Sequence, residues 1–158
     1  ASSHHTVGMT PLETDLRLAP DSFYAVSKAT VELLGELYAR KTPIEVVTLR
    51  IGSFREIPSE PRHHFTWLSP RDAVEFVKAA LKSPLPDRYA MAYALSQTRL
   101  GDRANATWEL LGYCPQDDAF DYPIAGVEDD RYLGGSFVDV QLPVGQLSGP
   151  SSKLNEAQ

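Results

Sequence analysis

The sequence predicts an α/β fold built on a doubly wound parallel sheet, and three observations predict it. Residues 44–51 form a nearly continuous run of β-branched and apolar side chains, typical of a parallel strand that is covered on both faces. An amphipathic helical pattern precedes this run, and a second one follows it. Strands that alternate with helices along a chain favour a parallel sheet with helices packed on its faces.

The first elements follow in order from local signals. Ala1-Ser2-Ser3 is typical of a strand end, His4-His5 follow it, and residues 6–20 are expected to form a loop. Asp21 or Ser22 can cap a helix that runs to about Lys41. Its predicted apolar stripe consists of Val26, Thr30, Leu33, Leu34, Leu37 and Tyr38. The strand at 44–51 comes next and ends in Gly52-Ser53.

In the second half, residues 52–68 are rich in proline and charge and are expected to form an exposed loop. Ser69-Pro70 begins the next helix, with Asp72 as a capping-box-like acid, and a face of Ala73, Val74, Val77, Ala80 and Leu81 continues it to Lys82. A strand is predicted at 89–95, and a short helix at 105–111 closed by Gly112. Residues 140–158 are expected to be a disordered tail.

Composition narrows the classes of partner. The 158 residues are 42% hydrophobic and 23% charged, as in a soluble globular chain with one core. The net charge is −6 with no block of Lys and Arg, so neither nucleic acid nor an anionic membrane surface is an expected partner. No apolar run approaches the ~20 residues of a membrane helix. Cys114 is the single cysteine, makes no internal disulfide, and fits a reducing cytoplasm.

Tyr24 and Lys28 stand four residues apart in the first helical pattern. This spacing on a helix puts a phenol and an ammonium group on one face. The unperturbed pKa of a tyrosine is about 10, and a nearby cation lowers it, which makes proton abstraction from an alcohol feasible. Alone, the same spacing more often marks a core-edge tyrosine beside a solvated lysine, so its neighbourhood decides. Ser3 and Ser53 each follow a predicted strand, and ligands of open α/β sheets gather at the carboxyl ends of strands.

At this point the chain resembles the extended short-chain dehydrogenase/reductase family, and within it the uronate dehydrogenases. The resemblance covers residues 1–139 and rests on several separated motifs in the right order. These are Ala1-Ser2-Ser3-x-His5, Tyr24-x-x-x-Lys28, Arg50-Ile51-Gly52-Ser53, Arg62, Thr66-Trp67, Leu111-Gly112-Tyr113-x-Pro115-x-Asp117 and Gly134-Gly135-Ser136-Phe137-Val138-Asp139. It implies the C-terminal part of a Rossmann-type sheet with a small substrate-binding part.

The resemblance also implies roles. The chain would belong to an oxidoreductase that moves hydride from the anomeric carbon of a hexuronate to NAD, giving an aldarolactone. Its catalytic residues would be Ser3, Tyr24 and Lys28, with Tyr24 as the base. The residues implied for the substrate are Ser3, His4, His5, Ser53, Arg62 and Phe137, and those for the cofactor are Tyr24, Lys28, Ile51 and Ser53. Arg62 suits a sugar acid because guanidinium holds a carboxylate with two parallel hydrogen bonds. His4 departs from the family, which has Asn there.

The dinucleotide fingerprint G-x-G-x-x-G is formed by none of the ten glycines. The sequence therefore looks like the second half of such an enzyme, and its expected partner is an N-terminal dinucleotide-binding half. Assembly into a homo-oligomer is a further open alternative. Two alternatives stay open: a nucleotide-sugar epimerase or dehydratase, which shares Tyr-x-x-x-Lys, and a non-catalytic sugar-acid-binding or regulatory module. A metal site at His4-His5 and His63-His64 is discounted for lack of an acidic or Cys ligand at characteristic spacing. Asp117-Asp118 is expected to be solvated, not a glycosidase pair.

Overall fold

A three-stranded parallel sheet forms the centre of the fold. The computed structural model describes residues 1–11, 17–124, 132–135 and 138, with the backbone alone for 102–105. The sheet has the order β1-β2-β5, with β1 at Ser2–Ser3, β2 at Val46–Ile51 and β5 at Tyr89–Ala94. Ser3 pairs with Ile51, which in turn pairs with Ala94, so the carboxyl ends of the three strands lie side by side. The α/β prediction is confirmed, and strands β2 and β5 were predicted to within two residues.

Helices cover both faces of this sheet. Helix α1 spans Phe23–Lys41 and α3 spans Pro70–Lys82. Alternate side chains of a strand point to opposite faces. Arg50 of β2 reaches Glu32 of α1, whereas Val47 and Leu49 line a groove with residues of α3. This arrangement is the doubly wound pattern that the sequence predicted.

Helix α1 begins and ends where the sequence predicted, but its buried face is different. The Ser22 side chain caps it by accepting a hydrogen bond from the Ala25 amide at 3.2 Å. Its buried residues are Ala25, Ala29, Glu32 and Ala39. The predicted stripe is wrong as a core face, because its members are exposed, Leu33 by 60%. Alanines, and Gly35 against Val46, let the helix approach the sheet closely and turn the larger side chains outward.

Helix α3 starts at Pro70 after the Ser69 cap, as predicted. The capping-box role given to Asp72 is wrong. Its buried carboxylate instead accepts hydrogen bonds from the amides of Gln116 and Asp117, at 2.9 and 3.1 Å. The predicted face is only partly right, since Val74, Val77 and Leu81 are exposed.

The prediction of an exposed loop at residues 52–68 is only partly right, because residues 54–57, 59 and 60 are exposed but 63 and 65–68 are buried. The segment contains two short parallel strands, β3 at Ser53–Phe54 and β4 at Trp67–Leu68, and a one-turn helix α2 at His63–Thr66. Trp67 is fully buried, and its indole N–H donates to the Arg55 carbonyl at 2.9 Å. The exposed part holds three of the four charged residues, Arg55, Glu56 and Glu60, whereas the aromatic Phe65 and Trp67 are buried.

Helix α4 spans Arg99–Leu111 and begins six residues before the predicted start. Thr98 caps it, and Gly101 interrupts the apolar pattern that the sequence prediction relied on. A Cβ at Gly101 would lie 2.4 Å from the Trp108 ring, so the glycine makes room for that side chain. Gly112 closes the helix in the left-handed region at φ 65°, as predicted.

The core lies between β5, α3 and α4. It consists of Val7, Phe65, Leu68, Phe76, Leu85, Ala90, Ala92, Tyr93, Ala94, Leu95, Leu100, Trp108, Leu111, Tyr113 and Leu133. Two buried polar groups are satisfied by backbone: the Trp108 indole donates to the Tyr93 carbonyl and the Tyr113 hydroxyl to the Leu95 carbonyl, both at 2.7 Å. Among the residues that the structure describes, no helix has the length and apolarity that crossing a bilayer requires.

Candidate active site

A cleft of about 330 Å³ opens at the carboxyl ends of β1 and β2. It is lined by Ser3, His4, His5, Tyr24, Gly52, Ser53, Phe54, Arg55 and Arg62. Six of the site residues predicted from the sequence therefore share one cavity, although they come from four separated parts of the chain. Of the other predicted residues, Lys28 and Ile51 lie outside the lining, and Phe137 lies outside the described residues.

Tyr24 and Lys28 occupy the first two turns of α1. The side chain of Tyr24 is 54% exposed, with its ring turned to the cleft. The Lys28 ammonium lies over this ring, 5.4 Å from its centroid. The four-residue spacing thus places the cation beside the phenol, which is the arrangement that the sequence predicted.

Ser3 stands at the end of β1 and caps the short 3₁₀ turn His4–Val7. Its hydroxyl oxygen accepts a hydrogen bond from the His5 amide at 3.3 Å. A serine hydroxyl has one proton to donate besides its acceptor capacity. Ser3 can therefore hold the turn and still donate to a ligand oxygen.

His4 is a buried, neutral imidazole. Burial first, and then the neighbouring His5, lower the pKa of His4 to about 3. Its Nδ1 lies 3.2 Å from the Ile51 carbonyl oxygen, which accepts only, so Nδ1 carries the proton. Its Nε2 is therefore an acceptor, and it makes no hydrogen bond within the described part of the chain. Ile51, assigned to the cofactor from the sequence, touches His4 through its backbone.

His5 is held by a carboxylate that sequence reasoning missed. Its Nδ1 lies 2.5 Å from Oδ2 of Asp21, whose side chain is fully buried. The other carboxylate oxygen of Asp21 accepts from the Ser22 hydroxyl at 2.8 Å. Asp21 entered the sequence analysis only as an alternative helix cap, because nothing in the linear order brings it next to His5.

Arg62 also has a neighbour that the sequence did not indicate. Its Nε donates to Oε2 of Glu60 at 2.7 Å, and this hydrogen bond holds the pKa of Glu60 below its usual value. Arg55, two residues after Ser53, lines the same cleft. The cleft lining therefore carries two guanidinium groups, of which Arg62 is paired with Glu60, and these charges favour an anionic ligand.

Ser53 connects the end of β2 to Arg62. The Thr66 hydroxyl donates to the Arg62 carbonyl at 3.1 Å, and Oγ of Ser53 lies 3.0 Å from that same hydroxyl oxygen. Ser53 accordingly donates to Thr66 and keeps its lone pairs as acceptors.

Within the described residues, no group of three or more His, Cys, Asp or Glu side chains could hold a metal ion. The prediction that Asp117 and Asp118 are solvated is wrong: both are half-buried, Asp117 accepts from Ser69 and Arg71, and Asp118 accepts from the Phe120 amide. Burial alone would raise the pKa of Asp117, but these hydrogen bonds outweigh it and lower that pKa.

The fold is that of a Rossmann-type α/β chain, and its cleft brings Ser3 and Tyr24 together, with Lys28 beside the Tyr24 ring. No family model matches the chain. The curated uronate dehydrogenase of Agrobacterium fabrum is 32% identical over 153 residues, which are 88% of this chain and 57% of that protein. The L-arabinose 1-dehydrogenase of Haloferax volcanii is 33% identical over 114 residues, 63% of this chain and 44% of that protein. The chain thus spans little more than half the length of the uronate dehydrogenases that it matches.

Solved structures agree. A uronate dehydrogenase mutant from Agrobacterium tumefaciens complexed with NAD superimposes with a TM-score of 0.75 at 29% identity, over 89% of this chain and 58% of that one. The glucuronic acid dehydrogenase of Chromohalobacter salexigens gives 0.76 at 31% identity, over 92% and 60%. A UDP-galactose 4-epimerase, at 22% identity and a TM-score of 0.50, shares the fold. The resemblance to uronate dehydrogenases that the sequence predicted is confirmed.

Proposed function

We propose that the chain forms the catalytic and substrate-binding part of an NAD-dependent dehydrogenase, which oxidises a hexuronate at its anomeric carbon to an aldarolactone. The observation that carries this proposal is the shared cleft, in which Ser3, Tyr24, Ser53 and Arg62 meet although they are far apart in the sequence. The relatives named as uronate dehydrogenases support the same activity.

Each residue of the cleft has a task in this reaction. Tyr24 takes the proton of the anomeric hydroxyl as the C1–O double bond forms, and Lys28 supplies positive charge beside its ring. The Ser3 hydroxyl donates to the reacting oxygen and orients it, as donors to a developing charge do. When bound, NAD supplies the acceptor for the hydride that leaves C1.

The two arginines of the cleft support a sugar acid as the substrate class. A hexuronate differs from a neutral aldose by one carboxylate, and Arg62 can bind it through the guanidinium nitrogens that Glu60 does not engage. Arg55 adds a second positive charge to the same cleft. A sugar acid therefore fits better than the neutral sugar named for the arabinose dehydrogenase relative.

The residues present fit only one end of the cofactor. Tyr24 and Lys28 can face the nicotinamide ribose, while the pyrophosphate requires amides of a Gly-rich turn at a helix N-terminus, a motif that this sequence does not contain. We infer that an N-terminal dinucleotide-binding half completes the enzyme. The proposed compartment is the cytoplasm, with no nucleic acid or membrane as partner.

The deciding experiment measures NADH formation with galacturonate and glucuronate, using two proteins. One is the 158-residue chain by itself, and the other is the same chain joined to a dinucleotide-binding half, covalently or added in trans. The expected result is turnover only in the second. Turnover by the chain alone would contradict the need for another half, and none in either would contradict the activity.

The same assay separates the alternatives. An epimerase or dehydratase would convert a nucleotide sugar without net NADH formation. A sugar-acid-binding module would bind uronate in calorimetry and give no NADH with the added half. The arginines favour a small acid over a nucleotide sugar, because they face the cleft next to the proposed base.

A further inference from the structure

We infer that Asp21 is a positioning residue that fixes the tautomer and orientation of His5 in the proposed substrate cleft. The inference deepens the proposed function and rests on it, because the family resemblance already implies His5 for the substrate and Asp21 holds that ring. Its structural half, the tautomer, does not depend on any activity.

The contact itself requires the assignment. A buried carboxylate only accepts, so the proton between Asp21 Oδ2 and His5 Nδ1, 2.5 Å apart, is on the ring. In the neutral imidazole, Nε2 is then the acceptor. His5 lines the cleft together with Tyr24 and Ser3, so an acceptor on this ring suits a ligand rich in hydroxyl groups.

The space around Asp21 shows a site shaped for this carboxylate. A Cβ at Gly8 would lie 1.9 Å from Oδ2 of Asp21, and a Cβ at Gly134 would lie 2.4 Å from the same oxygen. The Gly134 amide also donates to the Gly8 carbonyl at 2.8 Å, which holds the two glycines together over the carboxylate. Two segments that are distant in sequence thus each have a glycine where a side chain would collide with the Asp21 carboxylate.

Asp21 also connects His5 to the catalytic helix. Its Oδ1 accepts from the hydroxyl of Ser22, and that same hydroxyl oxygen accepts from the Ala25 amide to cap α1. Tyr24 is the second residue of this helix. One carboxylate therefore orients both the His5 ring and the helix end that carries the proposed base.

The Asp21→Asn variant tests the assignment sharply. Because Ser22 donates to Oδ1, the amide oxygen is expected to keep that position, which leaves the amide N–H₂ facing Nδ1 of His5. The amide N–H would then donate to Nδ1, which favours the tautomer with the ring proton on Nε2. Nε2 would change from an acceptor to a donor. A comparable replacement beside a catalytic histidine is known to impose the wrong tautomer.

The first measurement is the ¹⁵N NMR pattern of the His5 ring in the full chain. We expect an Nδ1–H tautomer in the unmodified chain and an Nε2–H tautomer in Asp21→Asn, with no change in Asp87→Asn, a matched control at an exposed aspartate. An Nε2–H tautomer of His5 in the unmodified chain would overturn the inference, even if Asp21→Asn fails to fold. No uronate or NAD enters this measurement, so it stands apart from the proposed function.

The second measurement is a double-mutant cycle on kcat/KM for the uronate in the completed enzyme. We expect Asp21→Asn to lower kcat/KM about 10–100-fold, a typical effect for the orienting partner of a functional histidine. In a His5→Ala background the same change should have an effect of less than about threefold, since the ring through which Asp21 acts is gone. Losses that multiply in full would show that Asp21 acts independently of His5 and would overturn the inference.

Discussion

Glu32 of α1 and Arg50 of β2 form a two-pronged ion pair beneath the cleft, with Nε–Oε1 and Nη2–Oε2 distances of 2.8 Å. Both side chains are only 6% exposed. Ser2 donates to Oε1 of Glu32 at 2.6 Å, and Arg50 donates to the Tyr93 hydroxyl at 2.7 Å. The pair and its two partners therefore join α1 to all three strands of the sheet. Glu32 lies one helical turn after Lys28, and Ser2 directly precedes Ser3.

Glu32→Gln should destabilise the fold strongly, because it leaves the buried guanidinium of Arg50 without its counter-charge. Removing one partner of a buried pair costs about 3–5 kcal/mol in free energy of unfolding. Urea denaturation measures it, with Glu36→Gln as the control, since Glu36 pairs with Arg40 at the surface and should cost less than about 1 kcal/mol. Equal effects of the two changes would contradict the prediction.

The Glu32–Arg50 pair should make the free energy of unfolding depend on pH in the acid range. Burial alone would raise the pKa of Glu32, but hydrogen bonds from Arg50 and Ser2 outweigh it and hold that pKa below its usual value. A lowered carboxyl pKa contributes stability that is present above the unfolded-state value of about 4.3 and is lost as the pH falls below it. Unfolding curves from pH 6 to pH 3 should show this loss, and Glu32→Gln should reduce it.

His4 should produce a second pH dependence, at higher pH. The unfolded chain protonates this histidine below about pH 6.5, whereas the folded chain, with a pKa of about 3, does not. Stability should therefore fall by about 1.4 kcal/mol per pH unit as the pH drops below 6.5. Comparing wild type with His4→Asn by urea unfolding at pH 7.5 and 5.5 isolates the contribution. Two parallel stability profiles would show that His4 is not buried in the neutral form.

Tyr24→Phe should lower kcat about 10²–10⁴-fold in the completed enzyme, because only the ionisable hydroxyl of the proposed base is removed. Affinity for NAD should change little. Tyr38→Phe is the matched control, an exposed tyrosine near the other end of the same helix. Turnover by the Tyr24 variant within a factor of two of wild type would exclude Tyr24 as the base.

Arg62→Ala should raise the KM for a uronate more than tenfold, about 1.4 kcal/mol or more, and should leave the KM for the matching neutral aldose nearly unchanged. Arg62→Lys should restore only part of the loss, since Lys cannot give two parallel hydrogen bonds. Glu60→Gln should act in the opposite direction and lower the uronate KM, because it frees a guanidinium N–H and removes a competing carboxylate. Equal losses on acid and aldose would assign Arg62 to support of its segment.

Structural features that depend on neighbouring residues were predictable from the sequence, whereas features that depend on long-range packing were not. The caps at Ser22, Ser69 and Gly112 depend on neighbours within a few residues, and all three lie as expected. The buried face of α1 depends on what packs against it, and a stripe such as Leu33 to Tyr38 gives no indication that small alanines face the sheet.

The site shows the same division. Ser3, His5, Tyr24, Ser53 and Arg62 could be placed by motif and by the rule that parallel strands bring their carboxyl ends together. Asp21 and Glu60 could not, because their roles depend on side-chain hydrogen bonds with His5 and Arg62. A residue whose importance lies in orienting another carries no signature in a single sequence.

The two glycines over Asp21 impose an order in time. Gly134 is added on the order of ten seconds after Gly8 and Asp21, at synthesis rates of about 5–20 residues per second. Until then the carboxylate remains open to water from that side, whatever structure α1 has already reached. Translation thus delivers the proposed base long before Gly134, so a nascent chain cannot complete the surroundings of the Asp21 carboxylate that contacts His5 until Gly134 has been added.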